Sequence, residues 1–191
     1  MEWINRIISI DQALALRINR NWSNGALDFI CQHIRETYFW LPMYLFFIVF
    51  ATLNFGKKGW LWVLAAVVTL SVTDQVSSNL IKNHFMRIRP CRDPLLADQM
   101  RFFISYCPGS SSFTSSHAVN HFGFATFTYR TLGPWLQPWS KLLFVLAAMV
   151  CYAQVYVGVH YPIDVMAGSL VGVALGYGMS VIFNKNFGPL Q

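Results

Sequence analysis

Five apolar segments of about 20 residues each limit what this chain can fold into. An α-helix needs about 20 predominantly apolar residues to cross the ~30 Å hydrocarbon core of a bilayer. The chain is 55% hydrophobic and 12% charged, whereas an average soluble domain is about 25% charged. We therefore predict an all-α integral membrane protein, a helix bundle of about five transmembrane helices. The predicted spans are Tyr38–Phe55, Trp60–Ile81, Ser115–Leu132, Leu142–Val159 and Val165–Phe183.

The first 36 residues differ from the rest because they mix charged and apolar positions throughout. No window there is long and apolar enough to span, and short amphipathic helices lying on the membrane surface fit the pattern better. We therefore expect an interfacial segment (residues 1–36), a single transmembrane domain (residues 37–184) and a short tail (residues 185–191).

The fifth predicted span carries small residues at regular intervals. Gly168, Gly172 and Gly176 are four residues apart, a spacing that lets helix backbones approach closely in membranes. The spacing predicts close packing against another helix of the same chain. The alternative is a homodimer in which the same three glycines form the seam.

The charge and the cysteines exclude some classes of protein. The formal net charge is +6, but the basic residues are divided among short loops and form no contiguous groove, so we expect no nucleic-acid partner. Four cysteines are too few for a disulfide scaffold. Cys91 and Cys107 bracket a short polar loop, and two outcomes stay open for them: a disulfide in an oxidising compartment or two free thiols.

Chain topology brings three separated polar motifs to one side of the membrane. The second span delivers the stretch from Lys82 to Pro90 to one face, and the third span starts from that face near Ser115. The third and fourth spans then make a round trip, so that His160 and Asp164 return to the same face. Charged residues kept beside hydrocarbon indicate a functional site. We therefore predict one polar site at this end of the bundle.

The residue types at this end are those that bind phosphate. Lys82, Arg87 and Arg89 supply cations, and an arginine can contact two phosphate oxygens at once. Ser115 and Ser116 add hydroxyl donors. The third and fifth spans also begin here, so their helix N-termini would direct free backbone N–H groups at the same pocket.

The same end holds candidates for nucleophilic catalysis. Asp164 follows His160 by four residues, so in a helical turn its carboxylate can bind one ring nitrogen and leave the other free to attack. His117 can protonate the leaving oxygen. His117 and His121 could also chelate zinc, but no third ligand is evident and the surrounding cations would repel a metal. We therefore expect neither a metal nor a cofactor.

Three motifs in order resemble the signatures of the type 2 phosphatidic acid phosphatase superfamily. Lys82, six residues and Arg89-Pro90 are similar to its first signature, and Thr114-Ser115-Ser116-His117 to its second. The stretch Ala153–Asp164 resembles the third, with Gln154 where the family usually has a phosphate-binding arginine. We hypothesise that Arg87 or His84 compensates for that lost cation, and the Gln154 amide can still donate a hydrogen bond.

The resemblance implies a metal-independent phosphatase in which His160 forms a phosphohistidine, Asp164 orients it and His117 protonates the leaving group. It implies phosphate binding by Lys82, Arg89, Ser115 and the backbone amide of Ser116. Bacterial membrane members of the family place this site at the outer face of the cytoplasmic membrane, and we expect the same multi-pass arrangement here.

The expected substrate is a lipid phosphate or pyrophosphate, with membrane lipids as the surroundings. Undecaprenyl pyrophosphate, phosphatidic acid, phosphatidylglycerol phosphate and lipid A phosphate are the candidates. Two alternatives remain: a phosphotransferase that passes the phosphoryl group from the same phosphohistidine to an acceptor lipid, and a non-catalytic phospholipid-binding or transport relative.

Overall fold

The computed structural model describes residues 2–104 and 106–190, and within these ranges every regular element is helical. Two π-helical turns, Arg17–Asn21 and Val76–Ile81, extend the first helix and join the third helix to the fourth. The helices are α1 (Glu2–Leu16), α2 (Gly25–Ile34), α3 (Leu41–Gln75), α4 (Lys82–Phe85), α5 (Ser116–Thr131), α6 (Leu142–Tyr156) and α7 (Pro162–Phe187). The prediction of an all-α membrane protein is confirmed.

Helix α3 is a hairpin of two antiparallel arms. Gly56 has φ +53°, a left-handed conformation that glycine tolerates best, and it breaks the helical backbone there. The rings of Phe47 and Trp62 lie 6.2 Å apart, whereas fifteen residues of straight helix would separate them by about 22 Å. A side chain at Gly59 would collide with the carbonyl of Ala51 in the opposite arm. The two arms therefore pack against each other as the first two predicted spans.

Three helical stretches among the described residues are long and apolar enough to cross a membrane. The first contains both arms of the α3 hairpin, and the others contain α6 and α7. Helix α5, at 16 residues, is not one of them, because His117, Asn120 and His121 occupy its first two turns. The protein is thus a multi-pass membrane protein, while five crossings stay a prediction.

Helix α5 lies inside the bundle, against α3, α6 and α7. Its contact with α7 depends on the spaced glycines. A Cβ atom added at Gly168 would lie 2.9 Å from the carbonyl oxygen of Ser115, and one added at Gly172 would overlap the carbonyl of Val119. The close packing predicted from the glycine spacing is therefore present within the chain. The alternative, a homodimer through the same glycines, stays a prediction.

Substitution of Gly172 by alanine should destabilise the protein. The new methyl group would overlap the Val119 carbonyl and lie 3.0 Å from the Gly123 nitrogen, so α5 and α7 must separate. We expect a loss of about 1–3 kcal/mol, as for other overpacked cores, measured as a lower midpoint of thermal unfolding in detergent. Gly178 is the matched control, since nothing lies within 4 Å of its added Cβ. Equal midpoints for Gly172→Ala and Gly178→Ala would contradict this account of the helix contact.

The N-terminal segment is helical, as predicted, but it packs on the bundle more closely than a surface helix would. Its apolar residues Trp3, Ile7 and Ile10 are exposed, which suits contact with the bilayer surface. On the opposite side Asn19 is fully buried, and its amide binds the backbone carbonyl of Tyr156 at 2.7 Å. Polar side chains therefore anchor the segment to the bundle.

The loop between α4 and α5 is closed by a disulfide between Cys91 and Cys107, whose Cα atoms lie 6.0 Å apart. Of the two outcomes left open by the sequence, the structure contains the bridge. At the C-terminus, α7 continues to Phe187, so the first residues of the predicted tail belong to the helix.

Candidate active site

The N-termini of α5 and α7 lie side by side. Ser115 caps α5, with its hydroxyl accepting from the Ala118 amide, and Pro162 occupies the first turn of α7, where the missing N–H of proline costs no helical hydrogen bond. The Ser115 amide donates to the backbone carbonyl of Asp164 at 3.2 Å. The convergence that was inferred from counting spans is therefore present in the fold.

His160 and Asp164 form a buried pair at this junction. The Nδ1 atom of His160 lies 3.6 Å from Oδ2 of Asp164, slightly longer than a hydrogen bond, and neither side chain is more than 3% exposed. The Tyr161 amide (2.9 Å) and the Ser112 hydroxyl both donate to the same Oδ2 atom. Burial lowers the pKa of His160 to about 4, although the bond to Asp164 opposes that change. The imidazole is therefore neutral at pH 7, and one of its ring nitrogens carries a lone pair.

Arg89 holds the other face of the imidazole. Its Nη1 atom lies 3.1 Å from Nε2 of His160 and donates to the carbonyl of Val159 at 3.0 Å. Nε and Nη2 donate to Ser110, at its backbone oxygen and its hydroxyl. Since a guanidinium can only donate, Nε2 is the acceptor, and the ring proton is on Nδ1, directed towards Asp164. Burial lowers the pKa of Arg89 to about 10, so the guanidinium stays charged at pH 7.

Two cavities are lined by residues of the first and second motifs. One, of about 380 Å³, is lined by Lys82, Arg87, Arg89 and the loop around Ser110. The other, of about 540 Å³, is lined by residues that include Ser116 and His117. The size of the first and its basic lining suit an anionic headgroup.

Hydroxyl groups lie between the two cavities. The Ser116 hydroxyl is 3.0 Å from that of Ser77 and 3.1 Å from that of Ser78, and Ser78 in turn donates to Asp74. Lys82 is buried one turn beyond Ser78. His117 lies in the first turn of α5 and lines the second cavity beside Ser116.

Arg87 does not fit its predicted role as a substrate ligand. Its Nη1 atom binds Oδ1 of Asp164 and its Nη2 atom binds Oδ2 of Asp11, both at 2.6 Å. Burial lowers the pKa of Arg87. The charge of Asp164 and the hydrogen bond to Asp11 raise it by more than burial lowers it, so the pKa lies above its ordinary value. With both terminal nitrogens on carboxylates, Arg87 positions Asp164 and leaves little charge for phosphate.

Gln154 lies close to the site but binds nothing with its amide nitrogen. The side chain is 1% exposed, and its Nε2 atom has no hydrogen-bond partner among the residues that the structure describes. The Gln154 backbone oxygen accepts from the amides of Val159 and His160, which places position 154 beside the loop that carries His160. His84, the other residue considered as a compensating cation, is exposed.

Two residues of the site were not found from the sequence. Asp11 of α1 is 3% exposed, binds Arg87 and accepts from the Ile163 amide at 2.9 Å. Ser112 donates to Asp164. A carboxylate among the apolar residues of α1 could have drawn attention to Asp11, but the sequence does not show that Arg87 is its partner. The hydroxyl-rich loop before α5 gave no means to single out Ser112.

Replacement of Asp11 by asparagine should weaken both stability and catalysis. The amide keeps the shape but removes the charge facing Arg87, and breaking a buried ion pair typically costs about 3–5 kcal/mol. We expect a lower thermal midpoint and a kcat about tenfold lower, since Arg87 then binds Asp164 alone, while the amide oxygen can still accept from Ile163. Asp98→Asn, at an exposed loop position, is the control. An Asp11→Asn protein with unchanged kcat would show that α1 does not influence the site.

The fold and the site together define a membrane protein with an anion-binding site: a neutral imidazole lies beside a carboxylate and is flanked by cations and by two helix N-termini. The chain belongs to the PAP2 superfamily, whose family model matches residues 59–188.

Individual relatives agree with this assignment. The chain is 28% identical over 172 residues to a lipid A 4'-phosphatase of Porphyromonas gingivalis, covering 90% of this chain and 72% of the relative. It is 30% identical over 170 residues to an undecaprenyl-diphosphatase of Sulfolobus acidocaldarius, covering 88% and 73%. The crystal structure of a PAP2-type phosphatidylglycerolphosphate phosphatase from Bacillus subtilis has the same fold, with a TM-score of 0.65 over 96% of this chain and 88% of that one at 22% identity. The protein is a hydrolase of this phosphatase family.

Proposed function

We propose that the protein hydrolyses a lipid phosphomonoester or pyrophosphate through a phosphohistidine on His160, at the outer face of the cytoplasmic membrane. The observation that carries this proposal is the orientation of the imidazole. Nδ1 faces Asp164, and Nε2, which faces Arg89 in the basic cavity, is the atom free to attack.

The first step would be attack of the Nε2 lone pair on phosphorus. A P–N bond forms as the bond from phosphorus to the leaving oxygen breaks, and protonated His117 gives its proton to that oxygen. Arg89 must move its Nη1 hydrogen bond from Nε2 to a phosphate oxygen, which keeps the cation beside the developing charge. Negative charge on the bound phosphate favours the protonated form of His117.

The second step would be hydrolysis of the phosphohistidine. Now neutral, His117 takes a proton from a water molecule, whose oxygen attacks phosphorus while the P–N bond breaks. Inorganic phosphate leaves, and His160 returns to the neutral form that its burial favours. Lys82 and the N-terminal amides of α5 and α7 would stabilise the phosphoryl oxygens in both steps.

The names of the relatives support a lipid substrate but differ in headgroup. Lipid A phosphate, undecaprenyl pyrophosphate and phosphatidylglycerol phosphate are therefore candidates, together with phosphatidic acid. The test is inorganic phosphate release from each of these lipids by the purified full-length protein in detergent. We expect release from at least one of them. Transfer of the phosphoryl group to a second lipid without release, or no turnover of any of the four, would contradict the proposal.

The disulfide supports an outward-facing site. Cys107 lies three residues before Ser110, in the loop that also supplies Ser112, and disulfides persist in oxidising compartments. In intact cells, a membrane-impermeant reductant followed by an impermeant maleimide should label these two cysteines. Labelling that requires cell lysis would place the site on the other side of the membrane.

A further inference from the structure

Arg35 is a buried cation that none of the three motifs includes. It ends α2 and is 7% exposed, and the other lysine and arginine residues with comparable burial in the described chain are Lys82 and Arg89. It also lies outside the residues matched by the family model. Burying a guanidinium is costly unless an anion and hydrogen-bond acceptors surround it. A buried arginine at the edge of an anion site therefore requires an explanation.

The contacts of Arg35 leave its charge incompletely matched. Nη1 binds Oε1 of Glu36 at 3.1 Å, but the Glu36 side chain is 41% exposed, so water weakens the pair. Nε is buried and has no acceptor among the residues that the structure describes. At least one N–H donor of the guanidinium is thus available to a ligand.

The surroundings of Arg35 connect it to the helices that carry His117 and Gln154. The preceding residue, Ile34, accepts a hydrogen bond from the Trp40 indole at 2.7 Å, and the Trp40 ring lies 5.3 Å from that of His121 on α5. Arg35 also lines a cavity of about 250 Å³ with Phe103, whose ring lies 5.6 Å from that of Tyr156, two residues after Gln154. Arg35 therefore approaches the site from the side of α2.

The charges around the site do not balance without a ligand. Four cations stand against two buried carboxylates. Glu36 is too exposed to neutralise a third, and the half-buried Asp74, beside Ser78, offsets only part of the excess. A phosphate monoester carries close to two negative charges at neutral pH, which would restore the balance. The cations are Arg35, Lys82, Arg87 and Arg89, and the carboxylates are Asp11 and Asp164.

Position 154 lacks the cation that Arg35 would supply. The third motif has a neutral amide there, and its Nε2 atom has no acceptor among the described residues. Neither residue first considered as a substitute fits, because Arg87 is bound to two carboxylates and His84 is exposed. Arg35 is the remaining buried cation on this side of the site.

We propose that Arg35 binds the phosphate group of the substrate and supplies the cation that Gln154 does not provide. This rests on the proposed phosphatase function and extends it to a residue of the N-terminal segment. The ligand is the phosphate or terminal pyrophosphate group of a lipid. Arg35 would donate to a non-bridging oxygen, while Lys82 and Arg89 contact the others.

The first test measures phosphate binding directly. Isothermal titration calorimetry of inorganic phosphate into the full-length protein needs no turnover, so it reports on Arg35 even if no lipid of the panel is hydrolysed. We expect Arg35→Gln to weaken binding about 10- to 100-fold, the usual effect of losing a charged donor. The lipid KM should rise with it. Arg20→Gln, at an exposed position of the same segment, should bind as the unmodified protein does. Unchanged phosphate binding by Arg35→Gln would overturn the proposal and leave the phosphatase function intact.

The second test places a cation at position 154 in a protein that lacks Arg35. Gln154→Arg in the Arg35→Gln background should restore phosphate binding to within about fivefold of the unmodified protein, because the charge returns to the same pocket. A purely structural role for Arg35 would not respond in this way. A double variant that is as well folded as the single variant but binds phosphate no better would count against the proposal.

A third variant tests the proposal even if the Arg35→Gln protein does not fold. Glu36→Gln removes the carboxylate that competes for Nη1 of Arg35, and its side chain is exposed enough to be replaced without disturbing the core. We expect phosphate to bind about two- to fivefold more tightly to this variant, since the Coulombic competition is removed. Unchanged or weaker binding would contradict the assignment of Arg35 to the phosphate site.

Discussion

Replacement of His160 by glutamine should lower kcat for phosphate release by about 1,000-fold or more, because the reaction loses its nucleophile. Glutamine can still accept the hydrogen bond from Arg89 Nη1 that now ends at Nε2, so the cation should stay in place. Phosphate binding should therefore change far less than kcat. The measurement is steady-state phosphate release from the best lipid of the panel, with calorimetry of inorganic phosphate beside it.

His33→Gln is the matched control for this substitution. His33 lies on α2, and its Nδ1 atom contacts the carbonyl of Phe29 in the same helix. Its replacement should leave kcat within about twofold of the unmodified value, as expected for a residue away from the chemistry. A His160→Gln protein that retains more than a tenth of the activity would show that another group attacks phosphorus.

Replacement of Arg89 by lysine should reduce kcat/KM by about 100- to 1,000-fold, even though the charge is kept. The guanidinium makes five contacts in a fixed fork, to Ser110, Ser111, Val159 and His160. An ammonium group has three donors and no planar geometry, so it cannot hold the loop and the imidazole together. The carbonyls of Ser110 and Ser111 would lose their donor, and this loss should also lower the thermal midpoint. Both quantities are measured on the same protein preparation.

Arg130→Lys is the control for Arg89→Lys. It makes the same replacement in the last turn of α5, at the end of that helix away from the site. Arg130 donates to the Ser180 hydroxyl at 2.8 Å and covers the ring of Tyr177. Its replacement should affect stability slightly and kcat/KM by no more than about threefold. Equal kcat/KM values for Arg89→Lys and the unmodified protein would mean that charge alone, without the fork, explains the role of Arg89.

Much of the site was predictable because its determinants are local in the sequence. His160 and Asp164 are one helical turn apart, so their pairing follows from helix geometry once α7 begins at Pro162. The convergence of the three motifs follows from counting spans, since each apolar segment of about 20 residues reverses the side of the membrane. The glycine spacing on α7 likewise predicted a close helix contact, although not that α5 would be the partner.

Other features depended on contacts between distant parts of the chain. Asp11 and Arg87 are 76 residues apart, and no periodicity connects them. Arg87 is an example: its residue type suits phosphate, but in the structure both of its terminal nitrogens bind carboxylates. Arg35 was not assigned to the site because only the tertiary structure brings the end of α2 beside Trp40 and α5.

The amino-acid sequence by itself predicted the membrane class, the separate first and second spans, the end of the bundle at which the motifs meet and the pairing of His160 with Asp164. These follow from hydropathy, turn residues and helical periodicity, which act over a few residues to one span. The tertiary structure alone decided which cations stay available to an anion and which are neutralised within the protein. That distinction depends on the distances between charges brought together from separate helices, because Coulombic and hydrogen-bond energies fall off over a few ångströms.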